Sequence, residues 1–280
     1  MREISVREIE KIVESSFAEM AFSYPNDVAK ALEYSKNNES GRALNVIEIL
    51  SDNEQIAKKQ RIPLCQDTGM AIVFLKVGQD VRFMDGFLND AINEGVRKAY
   101  QGGYLRYSVV SDPLFDRVNT KNNTPAVIHY ELVEGDILEI EMMAKGFGSE
   151  NVSKVKMLKP SEGVDGVKKF VLDTIIEAGP NGCPPMCIGI GIGSTMDGAA
   201  LLAKKALFRN VDMYSIDDRY SKLEKELLAS INETNIGPSG LGGNTTAFSV
   251  AIEHAPTHIA GLPVAVNICC HANRKMKVIL

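Results

Sequence analysis

The chain has 280 residues, 45% of them apolar and 24% charged, and a net charge of −5. That size can bury one large core or two modest ones, while the acidic balance without a long Lys/Arg block argues against nucleic acid or an anionic membrane as the main partner. No stretch approaches the roughly 18 uncharged apolar residues of a membrane span. The N-terminus runs straight into an amphipathic charged pattern, without the apolar region of a signal peptide. Five cysteines at wide, irregular spacing do not make a secreted disulfide framework. A cytoplasmic protein with reduced thiols is expected.

In chain order, the first segment reads as helix. Val6, Ile9, Ile12, Val13, Phe17 and Met20 recur at helical spacing after Ser5, a capping residue, and Ala43, Val46, Ile47 and Leu50 repeat the pattern after Ser40. Pro63 stops the helix and delivers Cys65 on a loop. Met70 to Val77 predicts a buried strand and Met84 to Tyr100 a helix, followed by a long polar loop from Arg106 to Thr124. Ala126 to Val133 and Ile137 to Ala144 alternate apolar and polar residues around Glu134-Gly135-Asp136, which predicts a hairpin. Helices at 164–178, 195–208 and 215–232 and strands at 186–192, 248–252 and 263–270 complete the reading. The expected fold class is α+β, a helical N-terminal part followed by a mixed sheet with flanking helices. It reads as a single domain over 1–280, with a helical lobe at 1–60.

The chemistry is carried by three cysteines. Cys65 opens Cys-Gln-Asp-Thr-Gly, Cys183 sits between Gly182 and Pro184-Pro185, and Cys270 opens Cys-His-Ala-Asn-Arg. A lone Cys is most often a buried small hydrophobe, and Cys187, inside an apolar run, fits that description. Loop positions weaken it for Cys65 and Cys183. Three thiolates can hold an iron–sulfur cubane by three irons and leave the fourth open as a Lewis acid, which suits dehydration chemistry better than electron transfer. Adjacent Cys269 and Cys270 point to opposite faces if they lie on a strand, so the pattern alone does not choose between them. A zinc site from Cys183 and Cys187 lacks a second close pair other than the crowded Cys269-Cys270-His271.

Three further segments have two readings each. Gly189-Ile-Gly-Ile-Gly193 has the wrong spacing for a dinucleotide loop and reads as a strand whose glycines admit close backbone packing. The Gly237–Thr246 run is either a surface turn or a nest of N–H donors. Arg106 is either a solvated cation or a fork for a substrate carboxylate.

Together these segments resemble the α subunit of the iron–sulfur (class I) fumarate hydratase and L(+)-tartrate dehydratase family. The resemblance runs through Pro63–Gly69, Arg106 with Ser111-Asp112-Pro113, Lys145–Asn151, Cys183-Pro-Pro, Gly240–Gly243 with Thr245-Thr246, and His258 through Leu262-Pro263 to Cys270-x-Ala-x-Arg274. It covers nearly the whole chain, with Phe147 standing where the family has glycine. It implies a [4Fe-4S] cluster on Cys65, Cys183 and Cys270, proton-handling roles for Asp67 and His258, and dicarboxylate contacts from Gln66, Arg106, Gly148 and Asn151. It also implies a separate β subunit that completes the site, in a higher oligomer of αβ pairs. Reversible hydration of fumarate to malate is the expected reaction, with L(+)-tartrate dehydration as the alternative. A non-catalytic electron-transfer protein and a metal-free interaction subunit are the rivals of other classes.

Overall fold

The computed structural model describes residues 1–280. In chain order it contains β1 (Arg2–Ser5), α1 (Val6–Phe22), α2 (Asn26–Lys36), α3 (Gly41–Gln60), β2 (Met70–Gly78), β3 (Val81–Met84), α4 (Leu88–Gly102), β4 (Val127–Val133) and β5 (Leu138–Lys145). There follow α5 (Phe147–Glu150), β6 (Lys154–Leu158), α6 (Gly163–Ala178), β7 (Met186–Ser194), α7 (Met196–Ala206), α8 (Asp218–Asn232), β8 (Ala247–Thr257), β9 (Leu262–Cys269) and β10 (Lys275–Ile279). The fold is α+β, with helices dominating the N-terminal part and mixed sheets after it. No helix is long and apolar enough to cross a membrane. Two compact units are present: Met1–Pro25 with Asn53–Phe147 and Arg274–Leu280, and Asn26–Asp52 with Gly148–Asn273.

The first unit is built on a four-stranded sheet in the order β10-β5-β2-β4. Helix α1 begins where expected, with the Ser5 hydroxyl accepting from the N–H of Arg7 at 3.3 Å. Its stripe of Ile9, Val13 and Phe17 packs with Ile92, Val96 and Tyr100 of α4 and with Ile140 and Met142 of β5. Helix α4 starts at Leu88 rather than at Met84, because Met84 ends β3 and a turn with positive φ at Asp85 and Gly86 intervenes.

The predicted hairpin of β4 and β5 is not formed. Strand β2 lies between them, parallel to β4 and antiparallel to β5. Glu134-Gly135-Asp136 does turn the chain, but it wraps the end of β2: Gln79 and Asp80 donate to the carbonyls of Val133 and Gly135 at 2.8 and 2.9 Å. A strand as continuously buried as β2, five apolar residues in a row, gains most by taking a partner on each edge.

The second unit holds the sheet β6-β9-β7-β8, covered on both faces. Ile188, Ile190 and Ile192 of β7 face a cluster that includes Val171 and Ile175 of α6 and Leu227 and Ile231 of α8. The alternating glycines face α7. A Cβ on Gly189 or Gly191 would stand 2.1 Å from the Ala203 carbonyl oxygen or 2.0 Å from that of Ala199. These glycines let a helix backbone lie directly on a strand, as their spacing predicts.

Candidate functional site

In the first unit, Cys65 is half-buried on the loop between α3 and β2, and the residues after it are held from several sides. The Tyr100 hydroxyl donates toward the carbonyls of Thr68 and Gly69 at 2.7 and 2.9 Å. Burial pushes the Tyr100 phenol well above its ordinary value, so it remains a donor. Asn123, fully buried in an αL conformation with φ 58°, donates to the Gly69 carbonyl at 3.1 Å and accepts from the N–H of Ser108 at 2.7 Å. The Asp67 carboxylate accepts from the N–H of Gly69 at 3.0 Å and of Phe147 at 2.8 Å. Phe147 thus serves through its backbone, and its side chain turns outward.

The same loop fixes Arg106. The Thr68 hydroxyl donates to the Arg106 carbonyl at 2.8 Å, which ties the Arg106 backbone to the Cys65 loop while its side chain is exposed. The following polar segment is ordered. Val110 bridges Asn119, and Asp112 accepts from the N–H groups of Phe115, Leu114 and Asp116, which hold its carboxyl below the usual range. The segment Cys65-Gln66-Asp67-Thr68 and the backbone of Arg106 are therefore tied to one loop region, mainly by long-range partners Tyr100, Asn123 and Phe147.

In the second unit, Cys183 and the segment around Cys270 meet at one end of the sheet. Cys183 precedes β7, Cys270 follows β9, and these strands are antiparallel neighbours with Cys187 opposite Cys269. The N–H of His271 donates to the Cys183 carbonyl at 3.3 Å. Cys183 has φ 51° and ψ 62°, the left-handed region that a non-glycine residue seldom adopts, and it is exposed. Cys187 and Cys269 are 2% and 1% exposed, inside the sheet. The strand alternation therefore sends Cys270, half-exposed, away from the core.

The Gly237–Thr246 run also comes to this end. The N–H of Ser239 donates to the Pro184 carbonyl at 2.9 Å, and Gly240 lies so close to Pro180 that a Cβ would stand 2.4 Å from it. The run is pinned by Glu39, a buried carboxylate that accepts from the N–H groups of Asn244 and Thr245 at 3.0 and 2.5 Å. Nothing in the local sequence marks Glu39, since its partners lie about two hundred residues away.

Gly148 and Asn151 are exposed in and just after α5. This turn is tied to the last residues of β9 by Ser153, which accepts from the N–H of Ile268 at 3.0 Å. His258 is placed elsewhere. It sits in the turn from β8 to β9, where its Nδ1 accepts from the N–H of Ala260 at 3.2 Å. The full length of β9, roughly 25 Å for eight extended residues, separates it from Cys270. His258 and Cys270 thus stand at opposite ends of β9.

All five cysteines are thiols. No three His, Cys, Asp or Glu side chains converge on a point where one metal ion could sit. The expected iron–sulfur cluster needs a different donor set, with each thiolate on its own iron; Cys65 in the first unit and Cys183 and Cys270 in the second are each accessible at a loop or strand end, whereas Cys187 and Cys269 are enclosed.

Comparison with known proteins gives a family and named relatives. The family model described as fumarate hydratase (Fumerase) matches residues 10–279. A Methanocaldococcus jannaschii protein provisionally named L(+)-tartrate dehydratase subunit alpha is 45% identical over 274 residues, covering 95% of each chain. The L(+)-tartrate dehydratase subunit alpha of Escherichia coli K12 is 34% identical over 276 residues, covering 97% of this chain and 90% of its own. The protein of that name from Shigella sonnei matches equally well.

Proposed function

Starting from a chain that belongs to the fumarate hydratase family, we propose that it is the α subunit of an iron–sulfur hydro-lyase that removes water from a hydroxylated dicarboxylate, with L(+)-tartrate ahead of malate as substrate. The observation that carries this reading is the set of three accessible loop thiols beside two enclosed ones. The preference for tartrate over the fumarate–malate pair rests on the names borne by relatives at 34–45% identity. Cys65, Cys183 and Cys270 would hold a [4Fe-4S] cluster, and such a group supplies an open iron that acts as a Lewis acid on a hydroxyl oxygen.

The remaining chemistry belongs to the chain's own side chains. Arg106, exposed and anchored through its carbonyl, presents a planar fork to a substrate carboxylate, and Gln66 offers an amide to the same ligand. Asp67 is aimed by two backbone N–H groups and still has lone pairs to take or return a proton. Gly148 and Asn151 provide backbone and amide contacts at the turn after β5.

Arg106→Lys tests the fork, because a point-charge ammonium cannot grip both oxygens of a carboxylate. A fall in kcat/KM of about tenfold or more is expected, equivalent to roughly 1.4 kcal/mol of transition-state binding. The thermal midpoint and cluster content should match the parent. Unchanged kcat/KM would remove Arg106 from the site.

Anaerobic reconstitution with the candidate β subunit, followed by assays on L(+)-tartrate, malate and fumarate under one set of conditions, tests the reaction itself. The highest kcat/KM is expected for L(+)-tartrate. Preference for fumarate or malate would restore fumarate hydration, and inactivity on all three would sink the hydro-lyase reading.

A further inference from the structure

Arg274 is 1% exposed, among the largest fully buried side chains of the protein, and its Nε and Nη1 meet no acceptor. A guanidinium cannot shed its charge. Burying it with unpartnered N–H groups is costly, and a well-packed apolar side chain of similar volume would serve folding as well or better. Its reason for being there lies outside hydrogen-bonded architecture.

Its surroundings indicate what it does. Arg274 immediately precedes β10, and its carbonyl accepts from the N–H of Ala144 at 3.0 Å, next to the Lys145-Gly146-Phe147 turn. Gly146 leaves them room: a Cβ there would stand 3.1 Å from Asp67 Oδ2 and 3.6 Å from Arg274 Nη2. The Tyr100 hydroxyl, which holds the Cys65 loop, feels both charges, Arg274 and Asp67, in opposite senses. A buried cation and a half-buried carboxylate thus both border the space left by a residue without a side chain, near the loop that carries Cys65.

We propose that Arg274 is a positioning residue, a fixed positive charge that holds the Asp67 carboxylate in place beside Gly146. Its worth is in charge rather than in hydrogen bonds from Nε and Nη1, which make none to the fold. Removing the charge therefore loosens Asp67, and with it the two N–H groups that Asp67 accepts from, without weakening the fold. The kinetic consequence rests on the hydro-lyase reading above; the local one does not.

The test compares Arg274→Met and Arg274→Lys with the parent protein. Amide hydrogen exchange at Gly69 and Phe147, the two donors to Asp67, should quicken about tenfold or more in Arg274→Met while the thermal midpoint stays level or rises. In the cluster-loaded complex, kcat should fall about tenfold or more with KM within about threefold, and Arg274→Lys should recover part of both effects. Unchanged exchange at those two amides overturns the proposal. So does a lowered midpoint with faster exchange throughout the unit, or an Arg274→Met chain that does not fold, since either makes Arg274 a structural strut. A raised KM at constant kcat overturns it in favour of direct substrate contact. If the parent complex turns over none of the three substrates, the hydro-lyase reading fails, and the exchange measurement still decides the role of Arg274.

Discussion

Cys65→Ser, Cys183→Ser and Cys270→Ser are each expected to abolish a stable iron–sulfur cluster, whereas Cys187→Ser and Cys269→Ser keep most of it. A thiolate is a far better iron ligand than a serine hydroxyl, and a cluster held by only three protein ligands has none to spare. Cys187 and Cys269 are opposed residues of paired strands, 2% and 1% exposed, so their substitution changes packing within the sheet rather than access to iron. Iron and acid-labile sulfide per chain after anaerobic reconstitution decide the matter. Full loading of Cys270→Ser with loss in Cys269→Ser would mean that the wrong neighbour had been chosen.

That choice shows how far residues alone carry the argument. Alternation along a strand establishes that only one of Cys269 and Cys270 faces outward, yet which one depends on where β9 ends and on its register with β7. The amphipathic stripe of α1, its Ser5 cap and the glycine face of β7 are local patterns, and all are present as expected. The β4–β5 pairing failed because strand order is a long-range property: nothing between Ala126 and Ala144 announces that β2 will take both edges. Strands β6 and β10, with their alternating Lys-Val-Lys and Lys-Met-Lys, lie at sheet edges and carry too little apolar signal to stand out.

The site was legible in the same uneven way. Cys65, Gln66, Asp67 and Arg106 are within reach of sequence reasoning because unusual residue types cluster there. Tyr100 and Asn123, which hold that loop, are not: Tyr100 falls on the apolar stripe of α4 and reads as core, and Asn123 reads as one polar loop residue among many. His258 is read from the resemblance alone, because a lone histidine beside Ile259 and Ala260 carries no local signal of a role.

Addition of the β subunit is expected to raise turnover by the cluster-loaded chain from negligible to robust, saturating at a fixed ratio of the two proteins. A dicarboxylate brings two negative charges to a subunit that is itself acidic, at −5. The cation proposed for the substrate is Arg106, tied to the Cys65 loop through its carbonyl, and one fork neutralises one carboxylate. Charge that develops on the departing oxygen needs further cations in a site closed to water. The loop that begins near Arg106 is also unfinished as a surface. Tyr104 is 93%, Leu114 70% and Phe115 83% exposed, although Asp112 fixes the turn bearing Leu114 and Phe115 through backbone hydrogen bonds. Ordered, exposed aromatic and aliphatic side chains are the kind of surface a partner protein covers. Titrating β subunit into a fixed amount of reconstituted α chain, with cluster content measured at each point, separates completion of the site from protection of the cluster. Completion predicts that turnover rises while iron per α chain stays constant. Turnover by the α chain alone at a rate comparable to the complex would refute a divided active site and require this chain to supply every charge the reaction needs.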